Sequence, residues 1–127
     1  MNVAHLCVLI AALLPFALVG YAKSAPHYLK SGGNNDPRAY AATIEGAKRR
    51  AYNAHLNGFE AFPIFAAGVV LAEHAGVAQG TVDGLALTFV VARVLHGILY
   101  ITDQATLRSI VWTVATACSV GLIALSI

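Results

Sequence analysis

Asn53, Asn57 and Glu60 stand four and three positions apart, and Arg50 precedes them by three. In a helix that spacing places all four on one face. Arg93, His96 and Tyr100 repeat the three-and-four spacing further along the chain, and Arg108 follows them. The two runs together offer cations, a carboxylate, amides, an imidazole and a phenol. Cations receive carboxylates, and Glu60 receives an ammonium group or an amide N–H. Such a set suits a small zwitterionic or anionic molecule. The same residues can also simply fasten membrane helices together, for about 1 kcal/mol each. No metal is implied, because the five His are scattered without Cys or carboxylates at ligand spacing. Neither a glycine-rich phosphate loop nor a hydrolase nucleophile motif is present.

The rest of the chain says what must position these groups. Of 127 residues, 58% are hydrophobic and 11% charged, with mean hydropathy +0.70. A soluble domain carries about 25% charged residues. Too little charge is present to coat a globule, and a net charge of +2 does not describe a nucleic-acid binder or a disordered tail. The composition implies an all-α integral membrane protein forming one domain over residues 1–127.

A membrane-spanning helix needs about 20 apolar residues. Four stretches qualify: 3–22, 54–72, 81–101 and 109–127. The first is read as a retained helix and not a cleaved leader, since Met1–Leu6 has no Lys or Arg and the apolar run is long. Asp36-Pro37 reads as a helix start, with Asp36 capping and Pro37 at the first position. From there the second helix is expected to run from 37 to 72, with a Glu45–Arg49 pair on its wet surface and a long extension beyond the bilayer. Gly46 and Gly58 are its weakest points.

Loop charge sets orientation. The first loop carries Lys23, Lys30, Arg38, Lys48, Arg49 and Arg50, while the loop around Glu73-His74-Ala75-Gly76 has no Lys or Arg. This bias places the first and third loops in the cytoplasm and both termini across the membrane. Glu60 then lies about 10 Å into the hydrocarbon from Asn53, and Arg93 a similar depth from Tyr100. Unpaired charges at that depth cost at least a few kcal/mol, so a Glu60–Arg93 ion pair is expected. Pro63 removes an N–H beside this carboxylate and frees the carbonyl of Phe59. The stretches Ile64–Leu71 and Leu85–Ala92 are almost wholly apolar, which argues against an ion path through the full thickness. Cys7 and Cys118 read as inert core thiols.

The run Asn57-Gly58-Phe59-Glu60-Ala61-Phe62-Pro63-Ile64-Phe65 resembles the Asn-x-x-Glu-x-x-Pro-x-Phe signature of the MAPEG family, membrane-associated proteins of eicosanoid and glutathione metabolism. Arg93-Val94-Leu95-His96-Gly97-Ile98-Leu99-Tyr100 resembles its third-helix motif, and Asn34-Asn35-Asp36-Pro37-Arg38 a stretch common in bacterial members. The resemblance covers essentially the whole chain. It implies a left-handed four-helix bundle, a homotrimer, and glutathione bound as co-substrate between subunits at the cytoplasmic helix ends. By position it assigns ligand binding to Arg50, Asn53, Asn57, Glu60, Arg93 and His96. Tyr100 and Arg108 take the catalytic places, with Arg108 activating the thiol. The implied activity is a glutathione-dependent transferase or peroxidase acting on lipophilic electrophiles or peroxides. Asn53 stands where glutathione-using members have arginine, Ala61 where one branch has tyrosine, and His96 where tyrosine is frequent. These departures keep open the alternative of a non-catalytic trimer that binds another small anionic or lipid-soluble ligand.

Overall fold

Backbone groups in hydrocarbon have no water to bond, so each must be paired within its own helix. The computed structural model, which describes residues 1–24 and 26–127, is built this way. Its helices are α1 (Val3–Ala22), α2 (Pro26–Lys30), α3 (Pro37–Thr43), α4 (Gly46–His74), α5 (Gln79–Ile101) and α6 (Ala105–Leu125). Four of these, α1, α4, α5 and α6, are long and apolar enough to cross a membrane. The expected all-α four-helix membrane fold is what forms.

α4 packs against α1, α5 and α6, and α5 also packs against α1 and α6. Contacts at the two ends show that successive long helices run antiparallel. At one end Asn2, which caps α1, and His5 in its first turn meet Glu73 at the close of α4. At the other, Arg50 near the start of α4 meets Ile101 at the close of α5. The interior holds Phe65 stacked flat on Phe89 at 3.8 Å, with Val69, Val82 and Leu122 fully buried around them. Cys7 and Cys118 are buried free thiols, as expected for core positions. Outward faces carry Leu9, Phe16, Ile64, Val91 and Val120, a surface matched to lipid.

Close approach of the backbones relies on small residues. A Cβ on Gly58 would lie 2.8 Å from Cγ of Pro15, so α1 seats its proline ring in the notch that Gly58 leaves in α4. Gly68 serves α6 in the same way, where a Cβ would meet the Ser119 carbonyl at 3.1 Å.

The second predicted helix is not continuous from 37 to 72. Asp36 caps α3 as expected, accepting from the Ala39 N–H at 3.1 Å with Pro37 in the first turn. The chain then leaves the helix at Ile44, which is extended, and re-enters at Gly46 with φ +66°. That left-handed geometry carries no Cβ penalty at glycine, and it turns α3 away from the α4 axis. The Glu45–Arg49 pair does not form. Arg49 instead donates to the carbonyl of Ala41, one of the end carbonyls that a short helix leaves without partners. The other long helices extend past their apolar runs: α4 continues to His74, α5 begins at Gln79, and α6 begins at Ala105. Polar first and last turns are helical too, because lipid is not needed to satisfy them.

Candidate functional site

The site lies at the end of the bundle where α5 closes and α6 opens. Helical spacing delivers His96 and Tyr100 from the last turns of α5, and Arg108, Ser109 and Trp112 from the first turns of α6. Asn57 of α4 completes a cleft of about 210 Å³ lined by these six side chains. The α5–α6 turn needs an unusual backbone to bring them so near. Asp103 sits at φ +61°, a region that Asp tolerates better than most residues.

Within the cleft, the guanidinium carbon of Arg108 lies 4.3 Å from the ring centre of Tyr100. The phenol ring thereby fixes the cation in place. His96 meets the same ring edge-on at 5.5 Å. On the α4 side, Asn57 Nδ2 donates to Glu60 Oε2 at 3.3 Å, which orients the carboxylate. Asn57 Oδ1 and His96 Nδ1 are buried without a hydrogen-bond partner among the described residues. Such atoms cost roughly 1–3 kcal/mol each when left unpaired.

Arg93 lies one turn deeper and is 4% exposed. The Glu60–Arg93 ion pair predicted from matching depth is not made within the chain. Among the described residues the one ion pair is His5–Glu73, and Arg93 Nη1 is buried with no partner. The reason is lateral: Glu60 is exposed on the outer side of α4 and held by Asn57 on its own helix, whereas Arg93 points into the bundle. There it borders a cavity of about 30 Å³ with Ala61, Phe89, Thr116 and Ser119.

Arg50 and Asn53 do not line the cleft. Arg50 Nε donates to the Ile101 carbonyl at 3.0 Å, so it ties α4 to the end of α5. His55, off the polar stripe, bonds through Nδ1 to the Pro15 carbonyl at 3.0 Å and joins α4 to α1. Of the eight sequence-designated residues, the structure brings Asn57, His96, Tyr100 and Arg108 around one cleft. Glu60 stands beside Asn57, Arg93 sits beneath, and Arg50 braces the rim. Ser109 and Trp112 were not anticipated. Trp112 follows Arg108 by four residues, the spacing of one helix face, and that was the available signal.

Fold and site together define a small four-span helical membrane protein with a basic, aromatic-lined cleft at one membrane face. The MAPEG family model matches residues 3–127, nearly the whole chain. The protein belongs to the MAPEG family. No curated protein and no solved structure matches it.

Proposed function

We propose that the protein is a membrane-bound glutathione-dependent transferase or peroxidase acting on lipophilic electrophiles or peroxides, working as a homotrimer. The observation that carries this reading is the cleft that sets Arg108, fixed over Tyr100, beside the unpartnered Asn57 Oδ1 and His96 Nδ1. Family membership supports it. Within the cleft, Arg108 complements the anionic sulfur and Asn57 Oδ1 complements an N–H group.

Glutathione supplies a thiol when bound. Arg108 next to that sulfur favours the thiolate, the nucleophilic form. Tyr100 holds Arg108 by its ring face and leaves its hydroxyl for the ligand. Trp112, on the lipid-facing side of α6, offers an apolar surface for a second substrate arriving from the bilayer. In the trimer a neighbouring copy covers the exposed Glu60, which would otherwise stand charged against acyl chains. The first and third loops lie in the cytoplasm, because the cations of the first loop belong on that side.

The test is calorimetric titration of the detergent-purified protein with glutathione, followed by conjugation and peroxide-reduction assays. Saturable binding with turnover that Arg108→Ala abolishes is the expected result. Absence of both binding and turnover overturns the reading. A second reading, a non-catalytic trimer for another small anionic or lipid-soluble ligand, draws on one observation. Arg50 is engaged by Ile101 and Asn53 brings no cation, so fewer positive groups remain for a tripeptide. Native mass spectrometry of the extracted protein, by showing what co-purifies, separates the two.

A further inference from the structure

The described residues between α1 and α4 fold upon themselves. Tyr28 and Tyr40 meet edge-to-face at 4.9 Å, and Gly33 is wedged between them, where a Cβ would lie 2.7 Å from the Tyr28 ring. The Gly33 N–H donates to the Tyr28 carbonyl at 2.9 Å. Asp36 caps α3, and Arg49 ties the far end of α3 to the first turn of α4. Because the segment joins two membrane-crossing helices, this platform sits at the bilayer boundary, on the same side as the α5–α6 turn.

Its charge is one-sided. From Lys23 to Arg50 there are six cations and two carboxylates, Asp36 and Glu45. Arg49 and Arg50 are committed to backbone carbonyls. Lys23, Lys30, Arg38 and Lys48 make no ion pair among the described residues, Lys23 resting 5.6 Å over the Tyr28 ring, and Asp36 is occupied as a helix cap. Beside Lys30, Leu29 is 72% exposed. Cations flanking an exposed apolar side chain are the mark of a surface that enters the headgroup layer, where the apolar group is buried and the charges meet phosphates.

We propose that this platform is a binding surface for anionic lipid headgroups, with Lys23, Lys30, Arg38 and Lys48 as the contacting cations and Leu29 inserted between acyl chains. The occupant is the bilayer itself and not a soluble anion or an acidic protein, because the surface is anchored at the boundary by both flanking helices and carries an exposed leucine. The site is separate from the cleft and does not depend on the enzymatic reading.

The test is native mass spectrometry of the protein released from vesicles of mixed phosphatidylglycerol and phosphatidylcholine. The wild-type protein is expected to retain phosphatidylglycerol several-fold above its share of the vesicle, with the enrichment falling as salt rises, since exposed charges are screened within about 10 Å at 0.1 M. Combined Lys23→Gln, Lys30→Gln, Arg38→Gln and Lys48→Gln substitution is expected to erase the enrichment, and the matching Lys→Arg set to preserve it. Leu29→Ser is expected to lower retention of both lipids. Wild-type protein without enrichment, or a folded glutamine variant that keeps it, overturns the proposal. If the glutamine variant does not fold, an enrichment in wild type that salt leaves unchanged overturns it equally.

Discussion

Arg50 Nε donates to the carbonyl of Ile101 at 3.0 Å, across 51 residues of sequence. The carbonyls of a helix's last turn have no partner inside the helix, and a cation suits their partial negative charge. Arg50 therefore fixes the end of α5 immediately after Tyr100, and through Tyr100 the position of Arg108. Arg50→Met should lower the thermal midpoint in detergent, reflecting a loss of about 1–3 kcal/mol for a charged hydrogen bond. Arg50→Lys should recover little, since an ammonium lacks the planar fork that aims Nε. Under the proposed function, glutathione-dependent kcat should fall further than the affinity for glutathione if Arg50 acts as a brace. A pure loss of affinity with an unchanged midpoint would assign it to the ligand.

Gly58 gives a test of how α1 seats against the site. A methyl group there would overlap the Pro15 ring, which cannot swing aside. Gly58→Ala should destabilise the protein by about 1–3 kcal/mol through overpacking, despite the gain in helix propensity. Gly84 lies in α5 with open space around it. Gly84→Ala should leave the midpoint unchanged or raise it, by up to about 1 kcal/mol. Parallel thermal unfolding of the two variants checks the contrast.

These contacts show which features the sequence made legible. Four apolar runs and the Asp36-Pro37 start follow from local composition and helical period, and each is present; of the two polar stripes, Asn57, His96 and Tyr100 reach the cleft. The break at Ile44–Gly46 depended on a left-handed glycine, and glycine inside a helical pattern signals only a small cost. Depth placed Glu60 and Arg93 at one level, but depth carries no information about rotation around the helix axis. Rotation separated them. Ser109 and Trp112 fall within the apolar run 109–127, which by composition alone does not set them apart from their neighbours. The Glu73 cluster joins residues 68 and 71 positions apart, and no periodicity within one helix reveals such a meeting.

Arg93 is a buried cation without a partner in the chain. Uncompensated buried charge is costly, and an apolar side chain of similar length relieves that cost. Arg93→Met should therefore raise the thermal midpoint of the ligand-free protein or leave it unchanged. If the proposed function holds and Arg93 reaches the ligand between subunits, the same substitution should reduce glutathione affinity at least tenfold, about 1.4 kcal/mol, and remove the stabilisation that ligand confers. Differential scanning with and without glutathione reads both effects at once. A destabilised ligand-free protein would mean that Arg93 is paired across subunits of the proposed trimer.

Glu73 closes the opposite end of the bundle. Its carboxylate accepts from Asn2 Nδ2 at 2.7 Å and Gln79 Nε2 at 3.2 Å, and pairs with His5 at 2.8 Å. Gln79 passes the linkage to Asp83, which receives the Ala4 N–H at 3.1 Å. The first turn of α1 is thus tied to α4 through Glu73 and to α5 through Asp83, with Gln79 joining the two carboxylates. Glu73→Ala should cost about 2 kcal/mol, since several hydrogen bonds to a charged group go together. His5→Ala should cost less than about 1 kcal/mol, because an exposed ion pair is screened by water. Hydrogen exchange over residues 3–8 should quicken in the first variant and change little in the second. Equal effects from the two would show that the ion pair, and not the hub of hydrogen bonds, secures α1.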